Sequence, residues 1–353
     1  MAMTSRQRPD ATATDDLGRI RALVEGLPEP ALIVGDGVVS IGNARARGLL
    51  GKRIEGAEVR KVFPHPAAVE CLERIRPGDA QNVELTGLGG SRRHWLMHVV
   101  SLGASTLLIR LADRSEARAA EQMRVDFVAN ASHELRTPLA TLIGYTETLR
   151  EHGEEIDEET RERFLAVVHD EARRMQRIVE DLISLSRIEA ERFTKPTDAV
   201  ALEPLIAQAI GNSRRIAEER QCELVADVAT DLPDVSGDRG ELLQSLDNLV
   251  TNALRYGEPG TPVGIMARAD GDMVHLSITD QGEGIAPEHI ARVTERFYRV
   301  DNSRSRSLGG TGLGLSIDQH IVERHRGRLT IESEVGRGTT VHVLLPIAAG
   351  RTS

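Results

Sequence analysis

The stretch "ASHELRTPLATLIGY", residues 131–145, sets His133 beside Glu134, with Thr137 and Pro138 about one helical turn on. A neutral imidazole is a good nucleophile near pH 7, because its unperturbed pKa is ~6.5. The adjacent carboxylate can orient the ring or take its proton as a new bond forms. Proline inside a helix removes a backbone hydrogen bond and costs ~3 kcal/mol, so packing alone does not explain the stretch. A zinc site is excluded, since the metalloprotease pattern needs a second histidine four residues on and Thr137 stands there.

A second group of residues lies in the last third of the chain. In "DNLVTNALRYG", Asn248 and Asn252 are four apart and share a helical face, with Arg255 and Tyr256 next to them. "ITDQGEGIA" ends a strand at Asp280 and continues through Gly282 and Gly284, a turn where backbone can approach a ligand closely. "GGTGLGLS" supplies Gly309, Gly310, Thr311, Gly312, Leu313 and Gly314 ahead of a helix, whose free backbone N–H groups can hold phosphate. "GRGTT" adds Gly336, Gly338 and Thr339. A dinucleotide fold is excluded, because no clear strand feeds the glycine cluster and "ERHRG" follows it.

The elements that must position these groups follow from the pattern. Residues 1–16 are polar and are expected to be disordered. Residues 17–113 read as a small α/β domain. In it "ALIV", "GDG" and "VVSIG" form a β-hairpin, Asn43 caps a short helix, and Trp95, Met97 and Val99 alternate on one strand face. Its histidines, His65, His94 and His98, are scattered, and no cofactor is expected there. Residues 114–192 read as two long helices broken near Gly153. Phe164, Val168, Met175, Ile178, Leu182 and Leu185 mark the seam of a helical hairpin. Two helices bury little alone, so a dimeric four-helix bundle is the natural completion. Residues 198–348 alternate helices with short strands, which fits an α/β two-layer sandwich.

Composition bounds the remaining classes. The 353 residues are 40% hydrophobic and only 3% aromatic, so the cores rest on aliphatic side chains. A formal net charge of -10 argues against a nucleic-acid partner. Cys71 and Cys222 are far apart and suit a reducing compartment. Neither a signal-peptide pattern nor a run of ~18 apolar residues appears, so no membrane span and a cytoplasmic location are expected.

Four glycine- and asparagine-containing motifs in this order resemble the ATP-binding domain shared by histidine kinases, type II topoisomerases, heat-shock-90 chaperones and mismatch-repair ATPases. "SHELRTPLATLIGY" resembles the phosphoacceptor motif of histidine kinases, and "ALIVGDGVVSIGNARARGLLG" resembles a PAS sensor domain. The combination resembles a two-component sensor histidine kinase, most similar to the phosphate-regulon sensors. That resemblance implies a homodimer that phosphorylates His133 from ATP and Mg²⁺ and passes the phosphoryl group to an aspartate of a response regulator. Dephosphorylation of that regulator is implied as well, with Thr137 positioning a water.

The resemblance also assigns roles within the ATP domain. Asn252 would bind Mg²⁺ and Asn248 would support the metal and phosphates. Arg255 would meet phosphate, Tyr256 would flank the nucleotide, and Asp280 would accept from the adenine amino group. Residues 290–312 would form a mobile lid. Relatives that hydrolyse ATP carry a glutamate where Asn248 stands; an amide is no general base, which favours transfer over hydrolysis.

Two departures stand out. Most phosphate-regulon sensors carry an N-terminal membrane anchor, which this sequence does not show, so either a soluble variant or a chain missing its start is expected. Asp318 occupies a position that is commonly apolar, which is expected to loosen the helix below the lid and weaken nucleotide binding. Pro138 leaves the Glu134 carbonyl without its helical partner, so the helix can bend beside His133 when residues 114–130 transmit a signal. Pro138→Ala is therefore expected to change the ratio of kinase to phosphatase activity; an unchanged ratio in paired assays would remove the bend from the mechanism.

Overall fold

A computed structural model describes residues 11–90, 93–103, 105–152, 155–191, 194–300 and 310–348. Gly153, Gly309 and the middle of the expected lid lie outside the described residues. The chain divides into two compact units, Met1–Asp126 and Phe127–Ser353.

In the first unit, helix α1 (Ala11–Glu25) precedes β1 (Ala31–Gly35) and β2 (Val38–Gly42). Residues 11–16, expected to be disordered, are thus helical. Their alanines are good helix formers, and the helix they open is anchored further on by buried Val24. The β1–β2 turn carries positive φ at Asp36 (49°) and Gly37 (76°), the mirror-image turn that matches strand twist. Short helices α2 (Ala44–Leu50), α3 (Val59–Val62) and α4 (Pro66–Arg74) follow. Strands β3 (Ala80–Thr86), β4 (His94–Ser101) and β5 (Thr106–Asp113) complete an antiparallel sheet in the order β2-β1-β5-β4-β3. This is a PAS-like arrangement. β1 is apolar throughout because both its faces are covered. Leu32 and Val34 join the main core with Phe63, Met97 and Leu111, while Ala31 and Ile33 pack with Val24 and Ile41.

Asn43 ties this unit together. Its side-chain oxygen accepts from Ala46 N (2.8 Å), capping α2, and from Ala31 N (3.1 Å). Its amide donates to Glu29 O (2.7 Å) and Val24 O (3.3 Å).

The second unit is built on helices α5 (Ser115–His152) and α6 (Glu158–Ala190) and an α/β sandwich. α5 begins in the first unit and is regular through Pro138, which is buried. Asp157 caps α6 by accepting from Thr160 N at 2.8 Å. Of the expected seam, Ile178 and Leu185 are fully buried, and Phe164 meets Tyr145 edge-on at 4.9 Å.

The sandwich opens with β6 (Ala199–Val200), helix α7 (Leu202–Arg220), β7 (Leu224–Val228), β8 (Val235–Ser236) and helix α8 (Arg239–Tyr256). β9 (Val263–Asp270), β10 (Met273–Thr279), the short α9 (Pro287–Ile290), α10 (Gly314–Arg324), β11 (Arg328–Glu334) and β12 (Gly338–Pro346) complete it. Its main sheet runs β11-β12-β10-β9-β7, with only the β7–β9 pair parallel. Leu242, Leu246, Leu249, Val250 and Ala253 turn one face of α8 into the core, leaving the other for chemistry.

His325 locks the start of α8. Fully buried, its Nδ1–H donates to Ile321 O (2.7 Å) and its Nε2 accepts from Asp238 N (2.9 Å). Asp238 in turn caps α8 through Glu241 N (3.0 Å). Burial pushes the His325 pKa down despite nearby Glu241, so below about pH 6.5 the unfolded chain binds the proton more readily. The contribution of His325 is complete above that value and is lost as pH falls through its folded pKa. The carboxyls of half-buried Asp181 and buried Asp280, whose pKa values desolvation raises, act in the opposite sense. His325→Gln isolates the histidine part: its melting temperature should fall less between pH 7.5 and 5.5 than that of the native chain. Equal falls would contradict the assignment.

Candidate nucleotide and phosphoacceptor site

The polar face of α8 opens on a cavity of about 480 Å³ in the second unit. Asn248, Asn252, Arg255 and Tyr256 line it from α8, Asp280 and Gly284 from the turn after β10, Gly310, Thr311, Gly312 and Gly314 from the start of α10, and Thr339 from β12. These eleven residues, all expected from the sequence, therefore converge on one space.

Gly282 and Leu313 do not line it. Gly282 pairs with Gly257 and donates to Asp280 Oδ1 at 2.8 Å; a Cβ there would lie 2.2 Å from the Tyr256 carbonyl oxygen. It lets the turn close against the end of α8. Leu313 is fully buried with Leu185, Ile188, Ile317 and Ile321, so it fastens the glycine loop to α6. Gly284 (φ 71°) and Gly312 (φ 75°) adopt the left-handed backbone these turns require.

Asp280 lies at the cavity wall, accepting from Gly282 N and, at 3.3 Å, from Thr339 N. Burial raises its pKa against those two bonds. Burial also lowers the Arg255 pKa, and the like charge of Arg177 lowers it further. These two guanidinium groups facing one cavity suit a polyanion. Among the described residues no group of three His, Cys, Asp or Glu side chains is placed to hold a metal by itself. The two asparagine amides and the backbone at Gly314 fit a hard cation that takes most of its oxygens from phosphate and water.

Several cavity residues escaped sequence reasoning. Arg177, Glu180 and Asp181 reach it from α6, and Tyr298 and Arg299 from the segment before the glycine loop. Thr311 Oγ1 donates to Asp181 Oδ2 at 2.7 Å and accepts from Leu313 N. Burial pushes the Asp181 pKa up while this bond lowers it. No spacing on α6 signals that another layer docks there.

His133, Glu134 and Thr137 do not line the cavity. His133 is exposed, as is Thr137, whose hydroxyl donates to His133 O at 3.4 Å. Glu134 Oε2 accepts from Arg174 at 3.1 Å and from Arg299 at 2.9 Å. The same Arg299 Nη2 donates to Thr311 O at 2.8 Å, so one guanidinium joins the neighbour of His133 to the glycine loop.

Comparison with known proteins agrees with this geometry. Residues 123–191 match the His Kinase A (phospho-acceptor) domain, and residues 237–349 match the histidine kinase-, DNA gyrase B- and HSP90-like ATPase family. The chain is 34% identical over 334 residues to the phosphate regulon sensor protein PhoR of Pseudomonas aeruginosa, covering 92% of this chain and 74% of that one. This chain belongs to the sensor histidine kinases. The kinase is also 36% identical over 239 residues to the sensor-like histidine kinase SenX3 of Mycolicibacterium smegmatis, spanning 68% of this chain and 62% of that protein. Its fold is shared with the histidine kinase AdeS of Acinetobacter baumannii, at TM-score 0.50 and 21% identity over 62% of this chain and 98% of that one. The kinase thus carries an ATP-binding sandwich and a phosphoacceptor helical hairpin. No helix among the described residues is long and apolar enough to cross a membrane.

Thr311→Val keeps the shape of the loop residue but removes the donor to Asp181. Losing that bond to a half-buried carboxyl should cost about 0.5–1.5 kcal/mol of unfolding free energy in urea titrations of the kinase. A change below 0.5 kcal/mol would mean that the hydroxyl adds nothing to the seating of the loop.

Proposed function

We propose that His133 is the residue this kinase phosphorylates, and that the cavity beside α8 holds the ATP that supplies the phosphoryl group. The observation that carries this reading is the Arg299 guanidinium, which binds the Glu134 carboxylate and the glycine-loop carbonyl of Thr311. Asp280 is placed to accept from a purine amino group, and Arg255 to face the phosphates. Asn252, supported by Asn248, is the ligand for Mg²⁺, which when bound neutralises phosphate charge. A His133 ring nitrogen attacks the terminal phosphorus, the bond to ADP breaks, and Glu134 orients the ring or takes its proton. Glu134 is held by Arg174 and Arg299 in this conformation and His133 stands outside the cavity, so transfer needs that link to open. Asn248 cannot activate water as a glutamate would, which keeps the phosphoryl group for the histidine.

Further features extend the proposal. Leu139 and Ile143 on α5 and Ile183 on α6 are exposed apolar side chains at 46%, 48% and 64%; a second copy packed against them would complete a four-helix bundle. The accessible surface around His133 suits a response-regulator receiver domain, which would take the phosphoryl group on an aspartate. Thr137 would position water for the reverse dephosphorylation. The similarity to PhoR favours phosphate-regulon signalling in the cytoplasm, where ATP is available, with the PAS-like unit as the sensor.

The test is incubation of the purified chain with γ-labelled ATP and Mg²⁺ beside His133→Gln. Acid-labile, base-stable label on the native chain and none on the variant is expected. Nucleotide binding without label would remove His133 from the chemistry, and equal steady phosphate release by both proteins would mark an ATP-driven clamp instead.

A further inference from the structure

Helix α10 carries an acid where an apolar side chain would serve packing. Asp318 is fully buried, and α10 stays regular through it. It faces α8 rather than the cavity, and it does not line the nucleotide space. Asn248 Nδ2 approaches Asp318 Oδ1 at 3.5 Å, and Ser245, one turn earlier on α8 and also buried, bears on the same carboxyl. Asp318 Oδ2 has no hydrogen-bond partner. A buried carboxyl without a cation partner costs stability, so its place directly beneath a cavity asparagine calls for an account.

An asparagine carboxamide has a broad, two-fold terminal torsion. Over an apolar floor, nothing distinguishes its oxygen-out from its nitrogen-out orientation, although only the oxygen can meet a cation or accept from a metal-bound water. An acceptor below the floor breaks that symmetry. With Nδ2 directed at Asp318, the Oδ1 end of Asn248 is left for the cavity, beside Asn252 and the first residue of α10. The Gly314 position, where an added Cβ would lie 3.8 Å from Asn252 Nδ2 and 3.9 Å from Asn248 Nδ2, keeps the two amides and the loop backbone close together.

We propose that Asp318 is a positioning residue for the metal–nucleotide site, holding the Asn248 carboxamide with its oxygen turned into the cavity from the underside of the floor. This rests on the reading of the cavity as the Mg²⁺–nucleotide site. It reverses the expectation that an acid here only loosens α10. Asp318 never touches nucleotide; it acts through Asn248, so its effect is confined to binding that involves the cation.

Titration calorimetry of the whole chain with ADP, with and without Mg²⁺, separates this from a packing role. Asp318→Ala should weaken ADP binding in Mg²⁺ about tenfold, the worth of one hydrogen bond, while Mg²⁺-free binding stays within about twofold. Asp318→Asn keeps an acceptor oxygen for Asn248 and should restore Mg²⁺-dependent affinity to within about twofold of native. Equal weakening with and without Mg²⁺, no weakening at all, or an Asn variant as impaired as the Ala variant would each overturn the positioning role. A native chain that binds no ADP even with Mg²⁺ would instead overturn the nucleotide reading of the cavity, an outcome the untreated control reads separately.

Discussion

One carboxylate holds two nearly buried cations. Arg174 and Arg299 expose only 7% and 3% of their side chains, and Glu134 Oε2 contacts both. Removing a single partner from such a cluster leaves a charge stranded out of water, which is far more costly than the bridge itself is stabilising. When the sandwich leaves the helical hairpin, Arg299 alone loses its anion, because Arg174 stays beside Glu134 within the hairpin and also pairs with Glu171 at 3.7 Å. A nucleotide is the obvious source of negative charge for Arg299, which belongs to the cavity wall. On the proposed reading, the residue beside His133 would compete with the nucleotide for the same guanidinium.

The apolar contacts around this cluster serve the same end. Leu313 and Ile317 pack on Leu185 and Ile188, so the glycine loop rests on the hairpin helix. Farther along, Arg324 pairs with Glu191 at 2.7 Å and Glu241 at 2.6 Å, joining the end of α6, the end of α10 and the start of α8. The hairpin and the sandwich are joined by ion pairs and a small apolar patch. The sandwich itself is held by a continuous core of its own, so it can move as a body.

The cavity residues were legible because chemistry restricts their types and short-range spacing restricts their faces. Asn248 and Asn252 at a four-residue interval could only share a helix face, and the glycine turns admit few other residues. What was not legible depended on tertiary contact. Arg174, Arg177 and Asp181 look like ordinary solvated charges on a long amphipathic helix; Arg174 meets Glu134 across the hairpin, and Asp181 gains Thr311 only where the sandwich docks. Strand β3, "AQNVELT", was missed because it is an edge strand in which Leu85 alone is fully buried, so its alternation is faint. Leu313 and Gly282 were assigned to the ligand by motif membership; Gly282 lies against the end of α8 and Leu313 packs on α6.

Asn43 has a consequence for how the PAS-like unit can be handled. Its amide donates to carbonyls of Val24 and Glu29, both on the segment that precedes the sheet, while its oxygen serves β1 and α2. The segment from α1 to β1 is consequently part of the domain's polar framework and not a detachable leader. Cutting the chain just before the first strand would leave a buried amide with donors facing no acceptor, and a soluble, independently folding fragment of this unit must retain the end of α1.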